Sequence, residues 1–139
     1  MQHTLIIEAI LMLLGASGFS LASYIDHCKA KKAPLVCPMR GSCDFVTTSG
    51  YSRFLGIHIE RIGMAYYLCV FAFHAFVLTD PTVLFSGAVL VALIVSGLSV
   101  LFSLYLIAIQ AFVLKHWCTW CVGSAFISLA IFVLTLLAF

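Results

Sequence analysis

The run from Trp117 to Phe139, WCTWCVGSAFISLAIFVLTLLAF, decides the reading of this chain: it carries no charged residue and opens on Cys118-Thr119-Trp120-Cys121. A hydrocarbon core of roughly 30 Å is crossed by about 20 helical residues, so the run is long enough to be a membrane helix with a thiol pair at its mouth. Cysteines three positions apart in a first helical turn share one face, within reach of a disulfide. The unpaired amides of that turn point at the sulfurs and favour thiolate over thiol, and Lys115 and His116 just upstream add to the effect.

The rest of the chain fits the same solvent. Of 139 residues 64% are hydrophobic and 9% charged, and the mean hydropathy is +1.20, which excludes a soluble domain and marks an integral membrane protein. Three more apolar segments run from about Thr4 to Ile25, Ile62 to Thr79 and Val83 to Leu114, so the expectation is an all-α bundle of four membrane helices in one domain, 1–139. The third segment exceeds one perpendicular crossing and predicts tilt, a kink near Gly97 or an end standing out of the bilayer. The first lacks a basic residue ahead of its core and reads as an uncleaved helix rather than a secretory signal. Asp80-Pro81-Thr82 predicts a tight turn with Pro81 in the first turn of the next helix.

Most polar residues lie in one long connection, about Asp26 to Arg61, which the crossing count places on the same side of the membrane as the link before Trp117. Its segment Cys37-Pro38-Met39-Arg40-Gly41-Ser42-Cys43 has turn chemistry that lets two thiols approach each other or a third sulfur. One pair on a helix and one on a loop suits a disulfide relay, because exchange requires a thiolate to attack a disulfide along its axis and one partner to move. The same four cysteines also satisfy static disulfides or a tetrathiolate zinc site, and both alternatives stay open. Cys69 reads as mid-helix apolar packing and Cys28 as a loop cysteine. Intramembrane charges are too few for an ion path.

A membrane enzyme that makes disulfides must pass two electrons onward, and a lipid-soluble quinone is the acceptor at hand. Phe54, Tyr66, Tyr67, Phe112, Trp117 and Trp120 are candidates to wall a flat ring, although aromatic residues also collect at membrane interfaces without any such role. Glu60, at the start of the second segment, either hydrogen-bonds a quinone oxygen or pairs with Arg61 or Arg53, the pairing being favoured. Glu8 and His74 read as solvated or snorkelling residues at the opposite interface.

These residues resemble the vitamin K epoxide reductase family. The resemblance rests on Cys37 and Cys43, on Ser49 six after Cys43, on Tyr51-Ser52-Arg53-Phe54-Leu55-Gly56-Ile57, on Gly63-Met64-Ala65-Tyr66-Tyr67 and on Trp117-Cys118-Thr119-Trp120-Cys121, in that order across nearly the whole chain. It implies a four-helix bundle around a quinone, ubiquinone or menaquinone, capped by a redox loop with a short amphipathic helix at about 52–57. It also implies roles: Cys121 reduces the quinone, Cys118 exchanges with Cys43, Cys37 takes electrons from a thioredoxin-like protein, and Ser49 orders the loop. No metal and no nucleic acid enter this picture. Animal members carry a tyrosine four residues after the second helical cysteine; Ala125 stands there, which favours quinone over epoxide reduction. Many bacterial members carry a fused thioredoxin-like domain; here the redox partner is expected to be a separate protein. A second family of quinone-linked four-helix thiol oxidases places its Cys-x2-Cys before the spaced pair, the reverse of the order here.

Sidedness is contested. Lys29, Lys31, Lys32, Arg40, Arg53, Arg61 and Lys115 all lie on the cysteine side, which the positive-inside rule assigns to the cytoplasm. The resemblance implies an extracytoplasmic site, where disulfides persist, and that orientation is the one expected here.

Overall fold

A computed structural model describes residues 2–31, 50, 53–54, 56–80, 82–83 and 87–138. The chain forms α1 (Gln2–Ala30), a minimal hairpin of β1 (Arg53–Phe54) and β2 (Ile57–His58), α2 (Ile59–Thr79), α3 (Ala88–Ala108) with a π-helical continuation Ile109–Leu114, and α4 (Thr119–Ala138). Four helical spans, α3 counted with its continuation, are long and apolar enough to cross a membrane. The protein is an all-α membrane bundle, as its composition dictates.

The α1–α2 seam is written in small residues. On α1 the buried positions are Glu8, Leu11, Gly15, Gly18, Ala22, Ile25 and Cys28, and on α2 they are Glu60, Tyr67, Val70, His74 and Val77, both at the three-and-four spacing of left-handed packing. Lipid supplies no hydrophobic drive between helices, so close backbone approach does the work. A Cβ on Gly15 would stand 3.1 Å from the Phe71 amide nitrogen, and one on Gly18 would stand 2.4 Å from the Tyr67 ring. The Tyr67 ring therefore occupies the space that Gly18 leaves, and its hydroxyl donates to the Ser124 carbonyl at 2.8 Å, tying this seam to α4. Leu11, Tyr67, Val70 and Ile131 form the core of that half of the bundle.

Helix α4 packs on both α1 and α3, and α3 leans mainly on α4. Gly97 faces the Phe132 ring, and Ser99 bonds Ser128 across the same interface. The bond linking α2 to α3 is long, from the Tyr66 hydroxyl to Ser96 Oγ at 3.5 Å. Most of α3 faces outward with apolar side chains, while Ser96, Ser99, Ser103 and Gln110 fall on its inner stripe.

Several expected boundaries move. Helix α1 continues past Ile25 to Ala30, taking Asp26, His27, Cys28 and Lys29 out of the loop; two cross-helix ion pairs and basic residues in the last turn sustain it. Helix α2 starts at Ile59 rather than Ile62. The short amphipathic helix expected at about 52–57 is replaced by the hairpin, with Arg53 opposite His58 and Phe54 opposite Ile57. Gly56 sits at φ 82°, a left-handed conformation that ends any right-handed turn there. After α2 the Asp80 carboxylate accepts from the Thr82 amide and hydroxyl, making the expected turn, but α3 begins only at Ala88 rather than Val83. Gly97 stays in regular helix. The long third segment departs from α geometry at Ile109–Leu114, which Lys115 ends in the left-handed conformation, φ 54° and ψ 30°.

Candidate functional site

At the loop end of the bundle, Cys118 stands immediately before α4 as its N-cap. Its carbonyl accepts the Val122 amide at 3.0 Å, and its Sγ accepts the Cys121 amide at 3.2 Å. That is the bond a serine or threonine cap makes to the third residue of a helix, here made by sulfur. Cys118 is fully buried, packed in a cluster with Ile25 and Cys28 that Leu21, Leu114, Trp120 and Cys121 surround. Its thiol is held below the ordinary value, chiefly by the hydrogen bond with the Cys121 side chain and further by the Cys121 and Trp120 amides, which together outweigh the opposing effect of burial. Neither Cys118 nor Cys121 is in a disulfide.

Cys121, one turn further on, opens onto a cavity of about 380 Å³ between the four helices. Its walls are largely aliphatic, with Glu60, Tyr66, Tyr67, Gln110 and Ser124 supplying polar groups. Ligand sites of this kind run from about 300 to 1,000 Å³, apolar with a few placed polar groups, so a quinone ring fits the space and chemistry present. Glu60 is held at the rim by Lys29, Nζ to Oε1 2.8 Å, and Lys29 also lies 3.3 Å from His58 Nδ1. Arg61 pairs with Asp26 on the outer side at 3.2 Å.

Of the residues singled out in the sequence, Cys118, Cys121, Glu60, Tyr66 and Tyr67 come together here. Glu60 pairs with Lys29 and not with Arg61, because the extra turn of α1 sets Lys29 opposite it. Trp120 lies outside the cavity lining and packs over the cysteine cluster against Tyr24, ring centroids 5.2 Å apart. Trp117 is 52% exposed, also outside the lining, and Phe112 faces outward. Cys37, Cys43, Ser49 and the Phe54 side chain lie outside the described residues.

Cys28, read as a loop residue, is helical and buried beside Cys118, while Cys69 sits exposed on the outer face of α2. Glu8 and His74, read as interfacial, are both buried and bond each other through Glu8 Oε2 and His74 Nδ1. The signal for that pair was their phase: Glu8 is three residues before Leu11 and seven before Gly15, on the seam itself. Gln110 and Lys29 were missed; Lys29 sat among residues that read as loop, and Gln110 was the lone amide in an apolar run.

Compared with known families, the sequence matches the vitamin K epoxide reductase family model over residues 9–136, nearly the whole chain.

Proposed function

Because the chain belongs to the vitamin K epoxide reductase family and is thus a multi-pass membrane thiol oxidoreductase, we propose that it carries electrons from a thioredoxin-like protein through Cys37 and Cys43 to Cys118 and Cys121, and from Cys121 to a quinone, ubiquinone or menaquinone. The observation that carries this reading is the division of labour within the helical pair. Cys121 faces the cavity, whereas Cys118 lies outside the lining with the bonds that favour thiolate. An exchanging thiol needs that character to attack a disulfide, and a thiol that reacts with a bound ring needs contact with it.

The electron count closes. Oxidising the Cys118 and Cys121 thiols to a disulfide releases two electrons and two protons, and a quinone when bound takes up both pairs to become a quinol. Exchange with the loop pair then returns Cys118 and Cys121 to thiols and leaves Cys37 and Cys43 as the disulfide that oxidises the partner. Tyr66, Tyr67 and Glu60 shape the polar side of the cavity; Trp117 and Trp120 flank its cysteine end from outside the lining and serve, in this reading, to cover a ring bound at Cys121. Ser49 orders the loop. Because disulfides persist in oxidising compartments, the cysteine face belongs outside the cytoplasm; a reporter fused after Phe139 is then active only on the cytoplasmic side, and activity outside overturns that orientation.

The test is quinone reduction by the full chain in detergent with a dithiol donor. Wild type turns over and Cys121→Ala does not; a Cys121→Ala variant that still reduces quinone overturns the assignment.

A further inference from the structure

The caps of helix α4 are incomplete within α4 itself. In a capping box, the cap residue bonds the third amide of the helix and the third residue's Glu or Gln side chain bonds back to the cap residue's own amide. Here the third residue is Cys121, which has no carboxylate or amide oxygen with which to reach back. The Cys118 amide is nevertheless satisfied: Gln110 Oε1 accepts it at 3.1 Å from eight residues upstream.

We propose that Gln110 is a positioning residue that completes the cap of the redox helix from the preceding one, fixing the Cys118 backbone so that its sulfur stays over the Cys121 amide. The local geometry is built for it. Gln110 is 3% exposed, and it lies in the π-helical turn Ile109–Leu114, where Ile109 and Gln110 are buried in succession. A π turn inserts an extra residue into the helix and occurs most often at functional sites. The left-handed Lys115 then reverses the chain, so that Cys118 returns within reach of the amide it passed eight residues earlier. An uncharged acceptor suits this position, because a carboxylate in the same place would offer the same bond but oppose a thiolate at Cys118.

Among the described residues, the other titratable groups at this end of the bundle are Cys121 on α4, Cys28 and Tyr24 on α1, Lys115 and His116 in the link, and the Lys29–Glu60 pair across the cavity mouth. All are unchanged in the variants that test the role. The role rests on Cys118 being the exchanging thiol, but the decisive measurement needs no quinone and so stands apart from that assignment.

The measurement is the pH dependence of Cys118 alkylation by iodoacetamide in the reduced full-length protein in detergent, resolved from Cys121 by fragment mass spectrometry. It is combined with hydrogen exchange at the Cys118 amide and with the KM for quinone. In Gln110→Met, of similar length but with no amide acceptor, the alkylation midpoint rises by about one pH unit, slowing alkylation at neutral pH roughly tenfold, and the Cys118 amide loses protection. In Gln110→Glu the amide stays protected while the midpoint rises. An unchanged midpoint in Gln110→Met overturns the proposal, and a raised KM for quinone beside it makes Gln110 a wall of the cavity. If Gln110→Met does not fold, loss of amide protection in Gln110→Glu, or an unchanged midpoint there, overturns it equally.

Discussion

Cys118 caps helix α4 and is, in the function proposed, also a redox thiol, and the two roles can be separated by substitution. Serine makes the same bond to a third-residue amide, so Cys118→Ser keeps α4 capped, whereas Cys118→Ala gives up the cap at a cost of about 1 kcal/mol. Thermal unfolding in detergent therefore places the serine variant near wild type and the alanine variant below it, while quinone reduction is lost in both. Equal stability of the two variants would mean that the sulfur contributes nothing to the cap. The placement of the thiol pair at a helix mouth was legible in the sequence because it follows from the cysteine spacing and from where the apolar run begins. The cap from Gln110 was not, because a bond across eight residues depends on how a π turn and a left-handed lysine bend the chain, and neither leaves a local mark.

At the scale of elements, hydropathy located the four spans because it reports which residues lipid will accept. It misplaced the end of α1 for the same reason: Asp26, His27, Cys28 and Lys29 continue the helix in a polar setting, held by partners on α2 that no scan of one segment reveals. The hairpin at Arg53–His58 was missed because the expectation came from the family pattern, and Gly56 at φ 82° admits no helix there. Within the seam, glycine positions differ in what they tolerate. Gly18→Ala drives a methyl into the Tyr67 ring, which Ser124 holds in place, and overpacking of this kind costs about 1–3 kcal/mol. Gly63→Ala meets nothing nearer than 3.9 Å and gains helix propensity, so it leaves stability unchanged or higher. A paired comparison of the two variants by thermal unfolding checks this; a Gly18→Ala protein as stable as wild type would show that the ring moves freely.

On the scale of the whole molecule, α1 and α2 make the tight seam, α4 bridges α1 and α3, and α3 closes the cavity from one side with an apolar back and a polar inner stripe. The sequence showed the apolar back; the stripe of Ser96, Ser99, Ser103 and Gln110 was hidden in it, since four polar residues spread over fifteen positions barely alter a hydropathy average. The Glu8–His74 pair, at the end of the bundle away from Cys118 and Cys121, has a consequence for how the protein is made. A carboxylate is expensive in lipid, on the order of 2.5–3.5 kcal/mol for an acidic residue at a helix centre and part of that two turns from an end. While α1 is the only span synthesised, the His74 imidazole that Glu8 bonds in the folded bundle has not been made. The first span alone is thus expected to insert less completely than its Glu8→Leu variant, a gap that closes once synthesis passes His74; equal insertion of the two would contradict this. The ribosome therefore delivers α1 on credit, and the membrane accepts it in full only as half of a hairpin.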